Sequence, residues 1–405
     1  MRRIGIVGGG QSGLQLAIGL RRAGYEVVLL SALTPEAIEA GRVTSSQCMF
    51  DAALQAERDV GLDLWATQCP PVDGIELSIA PEQQRAVHWA ARLDRPAMSV
   101  DQRVKMPAFM REFVRAGGDL RIVEARLQDL VALQRECELV IVAAGKGAVA
   151  NIFERDAARS RFDRPMRALG LTYVHGLRPR ENHSAVCFDI VPGVGEYFVF
   201  PALTLSGPCE IMVFEGIPGG PMDCWATVRT PEQHLETSRA ILRQHLPWEF
   251  ERARCVELTD PNGILAGRFA PTVRHPIARL DSGGIVLGMG DVVCLNDPIT
   301  GQGSNNASKC AAIYLRRILD HGRAPFDARW MQDTFDTYWN YASYVTDWTN
   351  SMLLPPPPHV MGLLAAAAAK PQIAHWFVNA FDDPRRFFPR LSDPVAAEQF
   401  VAAAG

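Results

Sequence analysis

Two glycine-rich segments, far apart in the 405-residue chain, carry residue types that suit the binding of phosphate and hydroxyl groups. The first reads Gly-Gly-Gly-Gln-Ser-Gly and has the Gly-x-Gly-x-x-Gly spacing. In that spacing the first glycine permits a tight turn, the second lets the backbone approach a pyrophosphate, and the third lets a helix pack closely on a strand. The following helix would direct its unpaired N–H groups at the phosphates. The residues predicted to contact a dinucleotide are Gly8, Gly10, Gln11, Ser12 and Gly13.

The second segment contains a Gly-Asp pair followed by a Pro-Ile-Thr-Gly-Gln-Gly turn. Asp291 follows a predicted strand, where its carboxylate could accept hydrogen bonds from ribityl hydroxyls. The turn leads into a predicted helix, whose first N–H groups could stabilise negative charge at the N1/C2=O edge of a flavin. A plain helix cap would explain this segment alone, but both segments together indicate FAD. Pro298, Gly301, Gln302 and Gly303 are predicted near the flavin ring, and Gly290, Asp291, Pro298, Gly303, Ser304 and Asn305 are predicted to bind the cofactor.

One part of the dinucleotide pattern is missing. The second strand should end in an acidic residue that binds the adenosine ribose, but this chain has Ser31 there. Either Ser31 supplies a weaker hydrogen bond, or the protein binds the dinucleotide loosely. The residues alone do not distinguish these two interpretations.

The elements that must position these residues indicate an α/β fold. Residues 4–30 read as strand, helix and strand, and further helices are predicted at 45–65, 104–116, 231–246 and 304–319. We expect a Rossmann-like FAD-binding domain with an inserted β-sheet substrate domain and a helical C-terminal region. The predicted FAD-binding domain comprises residues 1–70, 96–165 and 276–326, the substrate-binding domain 71–95 and 166–275, and the C-terminal helical region 327–405.

Composition narrows the class of partner. The net charge of −4 provides no basic surface for nucleic acid, and no apolar stretch is long enough to span a membrane. The nine cysteines are scattered and have no metal-ligand spacing. We therefore expect a cytoplasmic protein with reduced thiols, no metal and a small-molecule substrate.

The segment from Gly288 to Ser308 resembles the Gly-Asp motif of flavin-dependent aromatic hydroxylases. More narrowly, it is similar to the epoxidase component of two-component styrene/indole monooxygenases, which also lack the acidic residue at the position of Ser31. The resemblance covers nearly the whole chain and is thinnest between 165 and 270. Further segments that carry it are Val100-Asp101-Gln102-Arg103, Ala144-Gly145-Lys146 followed by Phe153-Glu154, Pro271 with Arg274, and Asp347-Trp348-Thr349-Asn350.

The resemblance implies an FAD-dependent monooxygenase that takes reduced FAD, as an exchangeable co-substrate, from a separate NADH-dependent flavin reductase. It would form a C4a-hydroperoxyflavin with O2 and transfer one oxygen atom to a small apolar alkene or aromatic, as in styrene- or indole-type epoxidation. The cofactor carries this chemistry, so no protein acid or base is required. A homodimer is a weaker expectation.

By the same resemblance, Arg42, Ser45 and Ser46 would line the ribityl chain and the flavin edge, and Ala144 and Gly145 would contact the cofactor. Arg103 would contact the FAD phosphates or ribityl chain, with a surface salt bridge as the alternative. The family commonly has Asn-Thr where this chain has Ser45-Ser46, and Ala-His where it has Cys48-Met49. These differences bear on the identity of the substrate more than on that of the cofactor. The predicted substrate pocket consists of Cys48, Met49, Phe198, Phe200 and Phe214, although the three phenylalanines would also fit a sheet core.

Three other functions are compatible with parts of the sequence. A single-component hydroxylase would reduce its own FAD with NAD(P)H, and the absence of a second dinucleotide motif discriminates poorly against it. A flavin-dependent halogenase is disfavoured because its Trp-x-Trp-x-Ile-Pro motif is absent. A flavin-binding module without turnover is disfavoured by the intact set of Asp291, Pro298, Gly301 and Gly303.

Overall fold

The computed structural model describes residues 2–404 and contains both α-helices and β-strands. The strands are β1 Arg3–Val7, β2 Glu26–Ser31, β3 Pro71–Ile79, β4 Val87–Met98, β5 Asp119–Ile122, β6 Leu139–Val142, β7 Ala168–His175, β8 Ala185–Val191, β9 Gly195–Thr204, β10 Gly207–Gly216, β11 Glu257–Leu258, β12 Ile264–Gly267, β13 Thr272–Val273, β14 Ile277–Arg279, β15 Ile285–Gly288 and β16 Cys294–Leu295. The α-helices are α1 Gln11–Arg22, α2 Pro35–Glu39, α3 Asp51–Asp59, α4 Gln102–Arg115, α5 Leu127–Glu136, α6 Pro231–His245, α7 Pro247–Arg252, α8 Gly303–Asp320, α9 Ala328–Met352, α10 Pro358–Ala369, α11 Pro371–Asn379 and α12 Pro394–Ala403.

The first sheet has six strands in the order β14-β15-β6-β1-β2-β5. All neighbouring strands in it are parallel except β14 and β15, and β1, β2 and β6 are continuous apolar runs. Such runs are typical of strands covered on both faces. Because β1, β6 and β15 are parallel, their carboxyl ends meet at one edge of the sheet. That edge is where ligands bind in open α/β sheets.

The second sheet has the strand order β11-β7-β10-β9-β8-β3-β4, with β12 also paired to β7. It is antiparallel apart from the β3–β8 pair. Because β3 pairs with β8, the early hairpin of β3 and β4 joins strands that lie about a hundred residues later in the chain. One face packs against α6, and the opposite face packs against α10 and α11, where Trp89 donates to the Leu364 carbonyl at 2.8 Å.

The fold class predicted from the sequence is confirmed: a parallel sheet, a largely antiparallel second sheet and C-terminal helices are all present. The helices predicted at 104–116, 231–246 and 304–319 correspond to α4, α6 and α8. The helix predicted at 45–65 is wrong at its start, since α3 begins at Asp51 and the preceding residues run to the site described below. The division into domains remains a proposal. In residues 2–404 no helix combines the length and apolar character needed to cross a membrane.

Candidate flavin and substrate site

The first glycine-rich segment forms the turn between β1 and α1. Gly8 has φ +125°, and a Cβ atom there would lie 2.7 Å from the backbone of Ala143. A Cβ at Gly13 would lie 2.1 Å from the Gly8 carbonyl oxygen, whereas nothing lies within 4 Å of a Cβ built at Gly10. The first and third glycines are therefore required by packing. The second leaves an open surface in front of the start of α1, which fits a pyrophosphate.

The two glycine-rich segments meet in space. Gly290 has φ +60°, and a Cβ there would lie 2.7 Å from the Ser12 hydroxyl oxygen. A Cβ at Gly145 would lie 2.8 Å from the Asp291 Cβ. The carboxyl ends of β1, β6 and β15 thus bring Ser12, Gly145 and Asp291 to one edge, as their predicted shared role requires.

The Asp291 carboxylate is exposed, and no described residue donates a hydrogen bond to it. Desolvation by the surrounding protein raises the pKa of Asp291 to about 6, while Lys146 and Arg274 pull it down. Water reaches the exposed side of the carboxylate and offsets part of that desolvation. An acceptor without a partner, flanked by two cations, fits a hydroxyl-bearing chain such as ribityl.

Ser31 lies at the end of β2, beside the glycine turn. Its hydroxyl donates to the Leu33 carbonyl at 2.8 Å and lies 2.8 Å from the position of a Cβ at Gly9. The hydroxyl oxygen can still accept a hydrogen bond, but its single proton is used within the protein. Arg42 is exposed and forms no ion pair with any residue between 2 and 404. The predicted contacts of both residues with FAD remain proposals.

The segment that contains Ser45 and Ser46 is held in place from the second sheet. Tyr173 on β7 donates its hydroxyl to the Ser45 carbonyl at 3.1 Å, and the Ser45 hydroxyl donates to the Gln47 side-chain oxygen at 2.8 Å. Gln47 is buried and donates to the Val100 carbonyl. Tyr173 and Gln47 therefore position the predicted ribityl-lining residues, although neither stands out in the sequence.

Arg103 requires a correction. Its guanidinium is 1% exposed and bonds to Asp101 at 2.8 and 3.0 Å and to Asp260 at 2.9 and 3.0 Å. Desolvation alone would lower the pKa of Arg103, but hydrogen bonds to Asp260 and Asp101 raise it above its usual range. Because these donors are used internally, the predicted contact with FAD phosphates or ribityl is not supported. The alternative of a surface salt bridge is also wrong, since the ion pair is buried.

Gln11, on the first turn of α1, belongs to a second buried polar group. Its side-chain nitrogen donates to Glu57 at 2.6 Å and to Gln15 at 3.1 Å, and Glu57 forms an ion pair with Lys105. Both charged groups are buried. The Gln11 side-chain oxygen is buried without a partner among the described residues, so it is the one end of this side chain left for a ligand.

The turn that precedes α8 is built as the sequence predicts. The Asp297 carboxylate accepts from the Ile299 N–H at 3.2 Å, and Gly301 adopts φ +64°, where a side chain would be strained. Gly303, the first residue of α8, is exposed, and a Cβ there would meet nothing within 4 Å. Ser304 is half-buried. The helix N-terminus is therefore open to a ligand, as the prediction for Gly303 and Ser304 requires.

Gln302, just before α8, and Asn305, on the first turn of α8, have contacts that indicate positioning roles. Gln302 is buried and donates to the Phe381 carbonyl at 3.1 Å. Asn305 is buried, accepts from the Phe50 N–H at 2.8 Å and donates to the Cys48 carbonyl at 2.8 Å. Since both ends of its amide bind backbone, Asn305 holds the segment around Cys48, which corrects its predicted role as a cofactor ligand. The adjacent Asn306, not predicted, is buried with neither amide atom hydrogen-bonded to a described residue.

A cavity opens between this turn and the second sheet and encloses about 480 Å³ including its mouth. Its mostly apolar walls are typical of a small-molecule site. The pKa of the Cys48 thiol is raised to about 12 by burial, so it is neutral and behaves as an apolar group. The cavity is lined by Ser46, Cys48, Phe50, Ile75, Val186, Phe188, Phe198, Phe200, Val213, Pro298, Thr300, Gly301 and Phe381.

The structure places Cys48, Phe198 and Phe200 in the cavity wall but corrects two other predicted pocket residues. Phe214 lies on the opposite face of β10, packed at 5.0 Å from Tyr197, because side chains alternate along a strand and Val213 takes the inward position. Met49 points away to a small cluster beside α3, where Lys105 donates to its sulfur at 2.9 Å.

Comparison with known proteins agrees with this geometry. Residues 145–252 match the family described as "Styrene monooxygenase A putative substrate binding domain". The chain is 29% identical over 410 residues to styrene monooxygenase StyA of Pseudomonas fluorescens, covering 98% of this chain and 97% of that protein. The predicted resemblance to styrene monooxygenases is confirmed. The family match falls largely on the segment where the sequence resemblance is thinnest.

Solved structures share the fold at much lower identity. A flavoprotein/dehydrogenase from Cytophaga hutchinsonii has a TM-score of 0.71 and 12% identity, with 100% of both chains covered. The flavin-dependent brominase Bmp2 has a TM-score of 0.62 and 14% identity, covering 99% of this chain and 92% of the brominase. At these identities the similarity concerns the fold alone.

Proposed function

We propose that this protein is an FAD-dependent monooxygenase of the two-component type, which adds one oxygen atom from O2 to a small apolar alkene or aromatic. The observation that carries the proposal is the contact between two surfaces. An apolar cavity in the second sheet is closed on one side by the Pro298–Gly301 turn, which follows the Gly-Asp motif at the edge of the first sheet after the short strand β16. Styrene- or indole-type epoxidation fits an apolar cavity of this kind.

The residues present fit FAD. The open surface at Gly10 would receive the pyrophosphate, and Asp291 would accept hydrogen bonds from the ribityl chain. Ser45 and Ser46 would line the same chain, with the Gly303 N–H at the start of α8 facing the flavin edge. When bound, reduced FAD would supply the two electrons that activate O2, one oxygen atom of which is transferred to the substrate while the other leaves as water.

The protein's own part is to bind, orient and exclude water. The cavity wall contains no charged side chain, and its polar groups are Thr300, Ser46 and the neutral Cys48 thiol. Thr300 shares a hydrogen bond with Thr349 at 2.7 Å, so its hydroxyl is already engaged. An apolar substrate would therefore be held by shape and by removal of its surface from water.

The supply of reduced FAD by a separate NADH-dependent reductase is the finer part of the proposal. It is supported by the similarity to StyA proteins and by Ser31, which replaces the carboxylate that would hold a ribose firmly. A loosely held flavin can leave to be reduced elsewhere. A cytoplasmic location and a homodimer also belong to this proposal.

The test mixes the purified protein with FAD, NADH and a flavin reductase, then measures oxidation of styrene, indole and an aryl thioether. Catalase is added so that free hydrogen peroxide cannot account for product. We expect product only when the reductase, or chemically reduced FAD, is present. NADH consumption and product formation without reductase would instead establish a single-component hydroxylase, and failure to bind reduced FAD would contradict every enzymatic assignment.

A further inference from the structure

Two buried carboxyl groups lie near each other behind the turn that closes the cavity. The side chains of Glu215, near the end of β10, and Asp297, which precedes Pro298, interact with each other. Their exposed fractions are 0% and 3%. Both oxygens of Glu215 are buried, and no ordinary donor group in residues 2–404 reaches either of them. Two carboxyl groups can hydrogen-bond only when one of them carries a proton.

The charges around Glu215 and Asp297 also indicate that one of these two carboxyl groups carries a proton. Glu196 lies opposite Glu215 on β9, and Arg167 binds Glu196 through two bonds of 2.6 and 2.9 Å. Other Arg167 donors reach the carbonyl oxygens of Met166, Met352 and Leu353. One cation therefore faces three buried carboxyl groups and is already committed to Glu196. Neighbouring buried carboxylates cannot both ionise without strong repulsion.

The pair is connected to the cavity by geometry. Glu215 lies on the same face of β10 as Val213, a cavity-wall residue two positions earlier. Asp297 accepts from the Ile299 N–H and thereby fixes the first bond of the turn that carries Pro298, Thr300 and Gly301 to the cavity. A change in charge at Glu215 would therefore reach the turn through Asp297.

We propose that Glu215 and Asp297 share one proton and act as positioning residues that hold the Pro298–Gly301 turn in its flavin-binding position. The link to flavin rests on the proposed function, whereas the shared proton does not. Burial, followed by the charge and hydrogen bond of Asp297, raises the pKa of Glu215 well above its usual range. Burial likewise raises the pKa of Asp297.

Loss of this proton would change the stability of the folded protein in a defined direction. The unfolded chain releases the glutamate proton near about pH 4.3, whereas the folded protein retains it to higher pH. The folded state therefore binds more protons, and stability falls as pH rises from about 4.3 through the raised pKa of the pair. Above that pKa the second negative charge repels Asp297 and loosens its bond to the turn. Affinity for FAD should fall over the same range.

The experiment compares wild type with Glu215→Gln and, should that variant fail to fold, Asp297→Asn. A glutamine amide can donate to Asp297 and keep the hydrogen bond without titrating. An asparagine can still accept from Ile299 and donate to Glu215. Thermal midpoints of the flavin-free proteins are measured between about pH 5 and about pH 9, followed by the Kd of FAD at each pH.

Glu210→Gln is the matched control. Glu210 is on the same strand and burial raises its pKa to about 7, but alternation along β10 places it on the face opposite to Val213 and Glu215. It should flatten the pH dependence of the thermal midpoint without changing that of FAD binding. For wild type we expect FAD to bind roughly three- to tenfold more weakly at high pH, and for Glu215→Gln we expect that dependence to disappear.

Two results would overturn the proposal. If the amide variants keep the wild-type pH dependence of the thermal midpoint, no proton is shared. If they lose it while FAD binding keeps its pH dependence, the proton exists but does not position the turn. Absence of FAD binding at every pH would refute the positioning role together with the proposed function, and the thermal midpoints would still show whether the proton is shared.

Discussion

Phe198 and Phe214 provide a direct test of the cavity assignment, because they lie on neighbouring strands but face opposite sides of the second sheet. Phe198 borders the cavity, whereas Phe214 is enclosed between Tyr197 and Trp225. The sequence predicts both in the substrate pocket, and the structure retains only Phe198. Replacing each with alanine removes the same atoms, so the two variants differ in location alone.

The expected cost in stability differs for a physical reason. Phe214 is 0% exposed, with ring centroids 5.0 Å from Tyr197 and 5.5 Å from Trp225, so Phe214→Ala leaves a sealed void. We expect a loss of about 3–5 kcal/mol in the free energy of unfolding. Phe198 is 9% exposed and stacks on Phe188 at 4.5 Å, so Phe198→Ala enlarges an existing space. We expect a smaller loss, about 1–3 kcal/mol.

The effect on substrate choice should have the opposite order, with the larger change in Phe198→Ala. Phe198→Ala should raise kcat/KM for a vinylnaphthalene relative to styrene by roughly tenfold or more, since the contacts of a few carbon atoms change discrimination by about 1–3 kcal/mol. Phe214→Ala should leave that ratio unchanged. Urea unfolding measures the free energy of unfolding, and reductase-coupled oxidation measures the ratio of kcat/KM values. Equal shifts in substrate preference for both variants would refute the assignment of the cavity wall.

Three further predictions concern the flavin side. Gly13→Ala should abolish FAD binding or folding, because its Cβ would lie 2.1 Å from a carbonyl oxygen, whereas Gly10→Ala should fold normally; equal thermal midpoints would contradict this. Asp291→Ala should weaken FAD binding by about 1–3 kcal/mol in a fluorescence titration, and unchanged affinity would show that this carboxylate does not contact the ribityl chain. Arg103→Ala should cost about 3–5 kcal/mol of stability by leaving buried carboxylates unpaired, and a loss confined to FAD affinity would instead restore its predicted role.

The local parts of the site could be predicted from the sequence because their geometry depends on close spacing. The glycines at 8, 10 and 13 act within one turn, and their conformational demands are set by neighbours in the chain. The Gly-Asp motif is equally local, so Asp291 and the turn after it could be recognised. The β-rich character of residues 71–95 and 166–275 could also be predicted, since the period-two pattern of a strand can be recognised without knowing its partner.

Contacts between distant segments could not be predicted in this way. Arg103 pairs with Asp260, which lies 157 residues further along the chain. The sequence around either residue contains no feature that indicates this pairing. Phe214 was assigned to the wrong face because a one-residue difference in phase decides which side of a strand faces a cavity. The pairing of Glu215 with Asp297 depends on where β10 ends relative to the turn before α8. Only the folded chain determines that relation.

The polar contacts missed by the sequence have a common consequence for how the site works. Tyr173 on the second sheet holds Ser45, Asn305 on α8 holds Cys48 in the cavity wall, and Arg103 on α4 joins Asp101 to Asp260. Hydrogen bonds are directional, whereas apolar packing tolerates volume-conserving exchange. In the proposed site we therefore expect these polar links to set the separation between flavin and substrate, and the apolar wall to set the size of the substrate. Substrate range should then be adjustable through wall residues without loss of flavin binding, and changes at the links should reduce both.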